Sequence, residues 1–303
     1  LAISRNHGEH GDARVHPTMV PENHLLASIN GAFNAIHFQG DMVGNLCADL
    51  NGMPGGAKPF RDGEDAVSPL FCAMADTAEQ EVMEEEVPFM QLVSKRLVRD
   101  NRGFGKFNGG MGYEMIVAAE GTAQWGFMTV TSGSKFSSIY GMYGGYGCGA
   151  YPLAMVKGTN VYEHIRQDNK KFDLSIEKVM NERPFEDGRY MTYHMGLQFD
   201  IAKDGELYMI SQGAGGGYGD PLERLPESVV KDAELGRITQ HVAESIFAVR
   251  YDPKNFRLDV AGTQQARAEA RQARLQRGKP FDEFCAEFVT TEPPKDLLYY
   301  GSW

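Results

Sequence analysis

The sequence predicts an α+β protein: a β-rich mixed domain with glycine-rich loops, a helical N-terminal segment and a helical C-terminal extension. The chain has 303 residues, 42% hydrophobic and 11% aromatic, which is enough for the core of one large domain or two ordinary ones. Its 35 glycines cluster between short apolar runs, which indicates a loop-rich β architecture. Residues 263–276 are rich in Ala, Arg, Gln and Glu, all strong helix formers.

Changes in composition divide the chain into three predicted parts. Residues 1–66 form a loop and helix segment, residues 67–222 the β-rich glycine-loop domain, and residues 223–303 the helical C-terminal extension. The chain opens on Leu1 rather than on methionine. We therefore expect a fragment, a processed chain, or a chain that lacks its N-terminal part.

Helices are predicted first in the N-terminal third. Apolar residues within 25–38 recur at helical spacing, which predicts a helix with one buried face. Thr77 and Gln80 match a capping box, which predicts the start of another helix. Pro88 suits the start of a further helix, whose buried stripe would be Phe89, Leu92, Val93 and Leu97.

The middle of the chain predicts strands, at residues 113–119, 126–131, 190–200 and 207–210. Turn residues at 186–188 and 203–205 predict hairpins between strands. Residues 159–180 are charged and partly helical, and we expect them to form a peripheral insertion. His194 lies within a predicted strand and is interpreted as a buried, hydrogen-bonded histidine.

The C-terminal extension predicts short helices at 227–234 and 239–247, then a strand at 248–251. The helix at 263–276 has a mostly polar surface, so we expect it to wrap around or bridge subunits. Aromatic residues follow at 281–285 and 298–303. An exposed aromatic tail is disfavoured in a free monomer, so we expect this tail to dock on a partner.

Bulk charge limits the classes of partner. A net charge of −11 argues against nucleic acid and against an acidic membrane surface, and no apolar run approaches the roughly 20 residues that a membrane span needs. The cysteines are far apart, which indicates reduced thiols in a cytoplasmic protein: Cys47, Cys72, Cys148 and Cys285.

Residues 210–220 hold five glycines, followed by Pro221. Glycine in an ordered segment costs roughly 0.5–1 kcal/mol relative to alanine, so such a run indicates sharp turns or close approach of the main chain. The run does not match the dinucleotide fingerprint, because Tyr218 and Asp220 stand where its last glycine is needed. The Gly-Lys pairs elsewhere lack the Ser or Thr of a Walker loop. Neither standard nucleotide motif is present.

The N-terminal residues 1–24 are rich in histidine, and His7, His10 and Asp12 are candidate metal ligands because imidazole and carboxylate bind borderline metals. Their spacing matches no named metal motif. The alternative is a solvated loop or a segment packed against a partner.

Two more glycine-rich segments lie at 103–112 and 141–151. Tight hairpins and bulges would explain these glycines, and so would the lining of a substrate channel; the two interpretations are compatible. In the second segment aromatic residues alternate with glycine, which suits a pocket for an apolar ring or a subunit contact.

The sequence Gly-Gly-Gly-Tyr-Gly-Asp-Pro-Leu-Glu-Arg at 215–224 resembles the signature near the C-terminus of the hydantoinase B/oxoprolinase family. The arginine, polar turn and glycine repeats of 99–112, and the glycine pairs at 55–56 and 144–145, follow in the family's order. The resemblance covers roughly residues 20–252. Within the family, the chain looks most like the C-terminal part of the B-type subunit of acetophenone and acetone carboxylases.

This resemblance implies a partner and cofactors. The family pairs its B-type subunit with an A-type subunit that holds ATP and Mg, which agrees with the missing nucleotide motifs. The family's Asn-Asp and Gly-Gly-x-His region, which carries its metal ligands and much of its catalytic apparatus, is absent from this chain. Catalytic residues and metal ligands therefore stay unassigned, and a divalent metal is expected in the part of the subunit missing from this chain.

The resemblance also implies a function and a site. The chain would help to form the chamber in which an activated ketone or enolate meets CO₂ or bicarbonate, and main-chain N–H groups of the glycine run would bind anionic oxygens. ATP-dependent cleavage of a cyclic amide is one alternative, and a non-catalytic scaffold is another. The residues expected to line the substrate channel are Gly55, Gly56, Gly109, Gly110, Gly144, Gly145, Tyr146, Gly215, Gly216, Gly217 and Tyr218.

Overall fold

The computed structural model describes residues 35–38, 41–45, 54–65, 90–121, 123, 125–127, 139–149, 153–168, 174–193, 200–211 and 213–289. Their strands are β1 (Ala35–Phe38), β2 (Asp41–Asn45), β3 (Met90–Leu97), β4 (Tyr113–Ala119), β5 (Trp125–Phe127), β6 (Leu153–Lys157), β7 (Arg189–Tyr193), β8 (Asp200–Ala202), β9 (Leu207–Ser211), β10 (Tyr251–Asp252) and β11 (Arg257–Leu258). Their helices are α1 (Val161–Asp168), α2 (Ile176–Glu182), α3 (Pro226–Glu234), α4 (Gln240–Ser245), α5 (Val260–Arg277) and α6 (Phe281–Phe288).

A five-stranded antiparallel sheet, in the order β3-β4-β9-β6-β7, is the largest sheet of the described residues. Its central strands are almost continuously apolar, as expected for strands that are buried on both faces. The register pairs Ile116 with Met209 and Met155 with Tyr208. Three two-stranded antiparallel pairs accompany it: β1-β2, β5-β8 and β10-β11.

One face of this sheet is covered by α1 and α2. Ile176, Val179 and Met180 of α2 are spaced to lie on one side of the helix, and they are buried against the sheet residues Ile116 and Met209 within one hydrophobic cluster. Ser175 caps the start of α2, because its Oγ accepts a hydrogen bond from the N–H of Lys178 at 3.1 Å. The described parts of this stretch, residues 159–168 and 174–180, therefore belong to a layer that packs on the sheet, and the prediction of a peripheral insertion was wrong for them.

A second hydrophobic cluster lies in the C-terminal part and joins α3, α4 and β10. Phe247 is fully buried there, and Phe104 packs edge-on against it with ring centroids 5.5 Å apart. Phe104 belongs to the glycine-rich stretch before β4, so this cluster also connects the C-terminal helices to the middle of the chain.

Predicted elements with a strong local pattern are confirmed. The strands at 113–119 and 207–210 correspond to β4 and β9, and the C-terminal helices correspond to α3, α4 and α5. The strand expected at 248–251 overlaps β10 only at Tyr251. The strands predicted at 126–131 and 190–200 coincide with observed strands at 126–127, 190–193 and 200, and their other residues lie outside the described part of the chain. His194 and the capping box at Thr77 and Gln80 also lie outside it.

Other predictions were wrong. The helix expected after Pro88 is strand β3, which pairs with β4 from Met90 to Leu97 with a register shift between Leu92 and Ser94. Pairing in the sheet overrides a short apolar pattern that also fits a helix. Within the helix expected at 25–38, residues 35–38 form strand β1. Residues 186–188 join α2 to β7, and 203–205 join β8 to β9, which lie in different sheets, so neither turn closes a hairpin.

Candidate functional site: the packed glycine segments

Four glycine-rich segments, which we call the glycine segments, converge in the structure: residues 54–57, 103–112, 141–149 and 213–219. None of these residues lies in a helix or a strand. Instead the main chains bind one another, with the segment 213–219 in the middle. The hydrogen bonds are Gly103 N–H to Gly215 O at 2.7 Å, Ala57 N–H to Gly216 O at 3.0 Å, and Gly217 N–H to Tyr146 O at 2.9 Å.

Side chains would prevent this arrangement. A Cβ added to Gly109 would lie 1.8 Å from the carbonyl oxygen of Gly215, and one added to Gly145 would lie 2.2 Å from that of Gly217. A Cβ on Gly215 would in turn meet the carbonyl oxygen of Gly55 at 2.0 Å. These separations are far below any van der Waals contact, and the opposing atoms are main chain that cannot rotate away. Close approach of one main chain to another therefore accounts for the glycines.

The structure brings all the predicted channel residues together. Seven of them are buried inside the packed segments: Gly55, Gly56, Gly109, Gly110, Gly215, Gly216 and Gly217. Gly145 and Tyr218 are half-buried, while Gly144 and Tyr146 lie on the surface. The candidate metal ligands His7, His10 and Asp12 lie outside the described residues.

The N–H groups of Gly215, Gly217 and Gly219 in the central segment are already engaged. Gly215 N–H donates to the oxygen of Gly110 at 3.0 Å, and Gly219 N–H donates to that of Met142 at 2.9 Å. Gly217 N–H donates to Tyr146. These three groups are therefore not available to an anionic oxygen, so the structure does not support that expected role for them.

One surface of the glycine segments carries a line of aromatic side chains. Tyr140, Tyr143 and Tyr146, which we call the tyrosine row, occur at every third position and all are exposed, Tyr143 to 74%. Tyr143 lies against Tyr218 with ring centroids 5.0 Å apart. Its φ of 53° and the φ of 95° at Gly144 turn the chain there. The tyrosine row therefore presents aromatic rings to solvent, on a main chain that is held by hydrogen bonds to the other glycine segments.

A buried ionic network, not predicted from the sequence, lies beside these segments. Arg224 donates from Nη1 and Nη2 to the two carboxylate oxygens of Asp62, both at 2.7 Å, and from Nη2 to Asp232 at 2.9 Å. Arg102 donates from Nε to the oxygen of Gly109 at 2.8 Å and lies 3.4 Å from Asp65. We call the charged residues Arg102, Arg224, Asp62, Asp65 and Asp232 the arginine–aspartate network.

The network also fixes the glycine-rich main chain. Asp62 accepts from the N–H of Asn108 at 2.8 Å, and Asp65 accepts from that of Met111 at 2.8 Å. The buried Asn108 side chain accepts from Gly105 N–H at 3.1 Å and donates to Asp232 at 3.3 Å. The bonds of Asp62, Asp65 and Asp232 join residues 54–65 and helix α3 to the stretch 103–112, and the bond between Gly105 and Asn108 fixes the stretch internally. The signal in the sequence is the presence of charged residues inside glycine-rich stretches.

The charges in this network alter the ionisation of its members. Burial alone would raise the pKa of the Asp62 carboxyl, but the hydrogen bonds and positive charge of Arg224 outweigh it, so this pKa lies below its ordinary value. Burial lowers the pKa of the Arg102 guanidinium below its ordinary value, because the nearby carboxylates of Asp232 and Asp65, which raise it, do not fully compensate. For Arg224 the net direction is the opposite. Burial lowers the pKa of its guanidinium, but the carboxylates of Asp62 and Asp232 outweigh burial, so this pKa lies above its ordinary value.

No set of side chains for a metal is apparent in the part of the chain that the structure describes: no group of three His, Cys, Asp or Glu residues is placed to hold an ion there. The carboxylates of the arginine–aspartate network face guanidinium groups instead. Among the helices of the described residues, none combines the length and the apolar character of a membrane span.

The part of the chain that contains the glycine segments matches a known protein family. A family model described as Hydantoinase B/oxoprolinase matches residues 14–221, a range that contains all four segments. The chain belongs to this family. The match confirms the resemblance that the glycine motifs predicted.

Two relatives of the family carry carboxylase names. The chain is 30% identical over 285 residues to the acetophenone carboxylase delta subunit of Aromatoleum aromaticum, covering 91% of this chain and 41% of that subunit. It is 26% identical over 245 residues to the acetone carboxylase alpha subunit of Xanthobacter autotrophicus, covering 76% of this chain and 30% of the relative. The chain thus spans less than half the length of these curated relatives.

The fold is shared with a solved structure. The nucleotide-free structure of acetone carboxylase matches with a TM-score of 0.66 at 24% sequence identity, covering 79% of this chain and 32% of that chain. The mixed α and β architecture with an antiparallel sheet is therefore shared with that structure.

Proposed function

We propose that this chain is part of a subunit of an ATP-dependent ketone carboxylase, a ligase that forms a C–C bond between a ketone and CO₂ supplied as bicarbonate. The observation that carries the proposal is the 30% identity to the acetophenone carboxylase delta subunit, which extends over 91% of this chain. The A-type partner subunit would bind ATP and Mg and activate the ketone and bicarbonate. A divalent metal, where one is used, would be held by the part of the subunit that this chain does not include.

The packed glycine segments suit one wall of the reaction chamber. An enolate carbon bonds to the carbon of CO₂ only where water does not first protonate it, so the chamber must be closed and rigid. Main chains packed with no intervening side chain give such a wall, as at Gly109 and Gly215. The tyrosine row and Tyr218 would form its inner surface, where aromatic faces meet an apolar ketone.

The arginine–aspartate network supports this wall from behind. Arg224, Asp62 and Asn108 connect three stretches of chain that carry the glycine segments. In the proposed enzyme these residues position the wall and do not contact substrate.

Two other functions have support. The family is named for hydantoinase B and oxoprolinase, which favours ATP-dependent cleavage of a cyclic amide as the alternative reaction. The glycines are accounted for by packing alone, which favours a non-catalytic scaffold. The dependence of ATP hydrolysis on a ketone or on a cyclic amide distinguishes the two enzymes. The effect of a substitution in the tyrosine row on turnover distinguishes either enzyme from a scaffold.

The decisive experiment uses the complete purified complex that contains this subunit. ATP hydrolysis is measured with each of several ketones plus bicarbonate, and separately with hydantoin, a lactam or oxoproline. Incorporation of labelled bicarbonate into an acid-stable carboxylate, dependent on ATP and on the ketone, is the expected result. ATP hydrolysis stimulated by a cyclic amide and independent of bicarbonate would replace the carboxylase proposal with the amide hydrolase.

A further inference from the structure

Helix α6 is uncovered in the described part of the chain. None of its eight residues is buried. Phe281 is exposed to 77%, and Phe284 and Phe288, which share its side of the helix, are also exposed and stack with centroids 5.0 Å apart. Leu275, near the end of α5, is exposed to 83%. We call residues 260–289 the helical arm.

The helical arm is attached to the rest of the chain through its first part. Arg267 donates to the main-chain oxygens of Arg224 at 2.7 Å and Phe247 at 3.2 Å. Arg274 donates to both carboxylate oxygens of Asp220 at 2.8 Å. Beyond Arg274, no side-chain hydrogen bond or ion pair joins the described residues of the arm to the rest of the described chain. An eight-residue helix is marginal in water on its own, so α6 needs a surface to pack against.

Opposite charges are separated along the arm. Helix α5 carries four arginines against one glutamate, and α6 carries three carboxylates and no basic residue. Glu287 is already paired with Lys279, whereas Arg277, Asp282 and Glu283 have no ion-pair partner among the described residues. The last eight residues of α5 and the whole of α6 are each about 12 Å long, so either could lie along the other in a second molecule.

We infer that the helical arm is a docking surface for a second copy of this chain. Two arms related by a twofold axis near Gly278 would run antiparallel, so the acidic α6 of each copy would lie beside the basic end of α5 of the other. A twofold contact forms each complementary pair twice. The exposed phenylalanines would pack against Leu275 of the other copy and leave water. An isologous dimer thus satisfies both the charge pattern and the apolar face.

The first test is sedimentation of the purified full chain over a range of concentrations. We expect a reversible dimer, which Phe284→Asp shifts to monomer. Leu225→Asp is the matched control: it also puts a carboxylate on an exposed apolar position, but outside the arm and at the N-cap of α3, where aspartate is favourable. The control should keep the wild-type association. A wild-type chain that stays monomeric, or a dimer indifferent to Phe284→Asp, overturns the inference.

The second test distinguishes this geometry from any other dimer. Arg277→Glu alone and Asp282→Arg alone each create two repulsive contacts in a dimer of identical chains, and each should weaken association on the order of tenfold. An equal mixture of the two variants restores one native and one reversed ion pair, so a mixed dimer should form with nearly wild-type strength. If mixing restores nothing, or if the arm binds only a different subunit of the complex, the inference is wrong.

Discussion

The guanidinium of Arg224 binds both carboxylate oxygens of Asp62 at 2.7 Å, although 162 residues separate the two in the sequence. Arg224 closes the family signature after the central glycine run, and Asp62 follows the first glycine pair. Their contact is buried on the arginine side and holds two of the glycine segments in register. The stability of the packed segments should therefore depend on side chains that are not glycine.

The first prediction concerns this pair. Arg224→Lys keeps the positive charge but loses the planar fork that serves Asp62 and Asp232 together, so both carboxylates are left under-compensated. We expect a loss of about 3 kcal/mol in the free energy of unfolding. Guanidinium chloride unfolding followed by circular dichroism measures it. Arg257→Lys, at an exposed arginine in β11, should change the value little, and equal effects of the two substitutions would contradict the network's role.

The second prediction concerns close approach of the main chains. Gly109→Ala places a Cβ 1.8 Å from a carbonyl oxygen, and relief requires two segments to separate. We expect a loss of about 3 kcal/mol or more, or failure to fold. Gly149→Ala is the matched control, since its Cβ would have only Asn101 Oδ1 nearby, at 3.7 Å. Thermal unfolding of both variants decides the point, and a Gly109→Ala protein as stable as the control would refute the packing.

The third prediction is a pH dependence. The folded-state pKa of Asp62 lies below its ordinary value of 3.8, so the unfolded chain takes up the proton first as the pH falls. The contribution of Asp62 is therefore complete above that ordinary value and is lost as the pH drops towards the folded-state pKa. Asp62→Asn should be less stable than wild type at pH 7 and should lose less stability between pH 5 and pH 2.

Its measurement is urea unfolding at several pH values in that window. Glu186→Gln removes a carboxylate from an exposed position and should keep the wild-type slope. If Asp62→Asn follows the wild-type curve at a constant offset, the ionisation of Asp62 does not contribute to acid sensitivity.

The fourth prediction tests the tyrosine row in the complete complex. Tyr146→Ala removes a ring that is 48% exposed and keeps the main-chain hydrogen bonds of this residue, so the complex should assemble normally while turnover falls at least about tenfold. Tyr146→Phe, which keeps the aromatic face, should retain most of the turnover. Steady-state kinetics with ATP, ketone and bicarbonate give both values. Unchanged turnover of an intact Tyr146→Ala complex would favour the scaffold function.

The sequence predicts well where a local pattern decides the structure. Strands β4 and β9 are almost continuously apolar, and α5 is built from strong helix formers, so the local pattern is enough to predict these elements. The four glycine segments were recognised because their motifs are short and dense. That they contact one another was implied only by the family resemblance.

The remaining features depend on partners far away in the chain. Strand β3 has apolar residues at helical spacing, and only its pairing with β4 makes it a strand. The burial of Asp232 next to Arg102 and Arg224 joins residues from distant stretches, and no spacing rule announces it. The covering of the sheet by α2 likewise follows from tertiary packing rather than from the charged composition of 159–180.

The hydrogen bonds that unite the glycine segments have a kinetic consequence. Because each glycine segment is held by hydrogen bonds to its neighbours and no side chain can rearrange to fill a gap, the segments cannot separate one residue at a time. The amide protons of Gly103, Gly110 and Gly215, which donate across three segments, should therefore exchange with deuterium at one common rate, as a single cooperative unit.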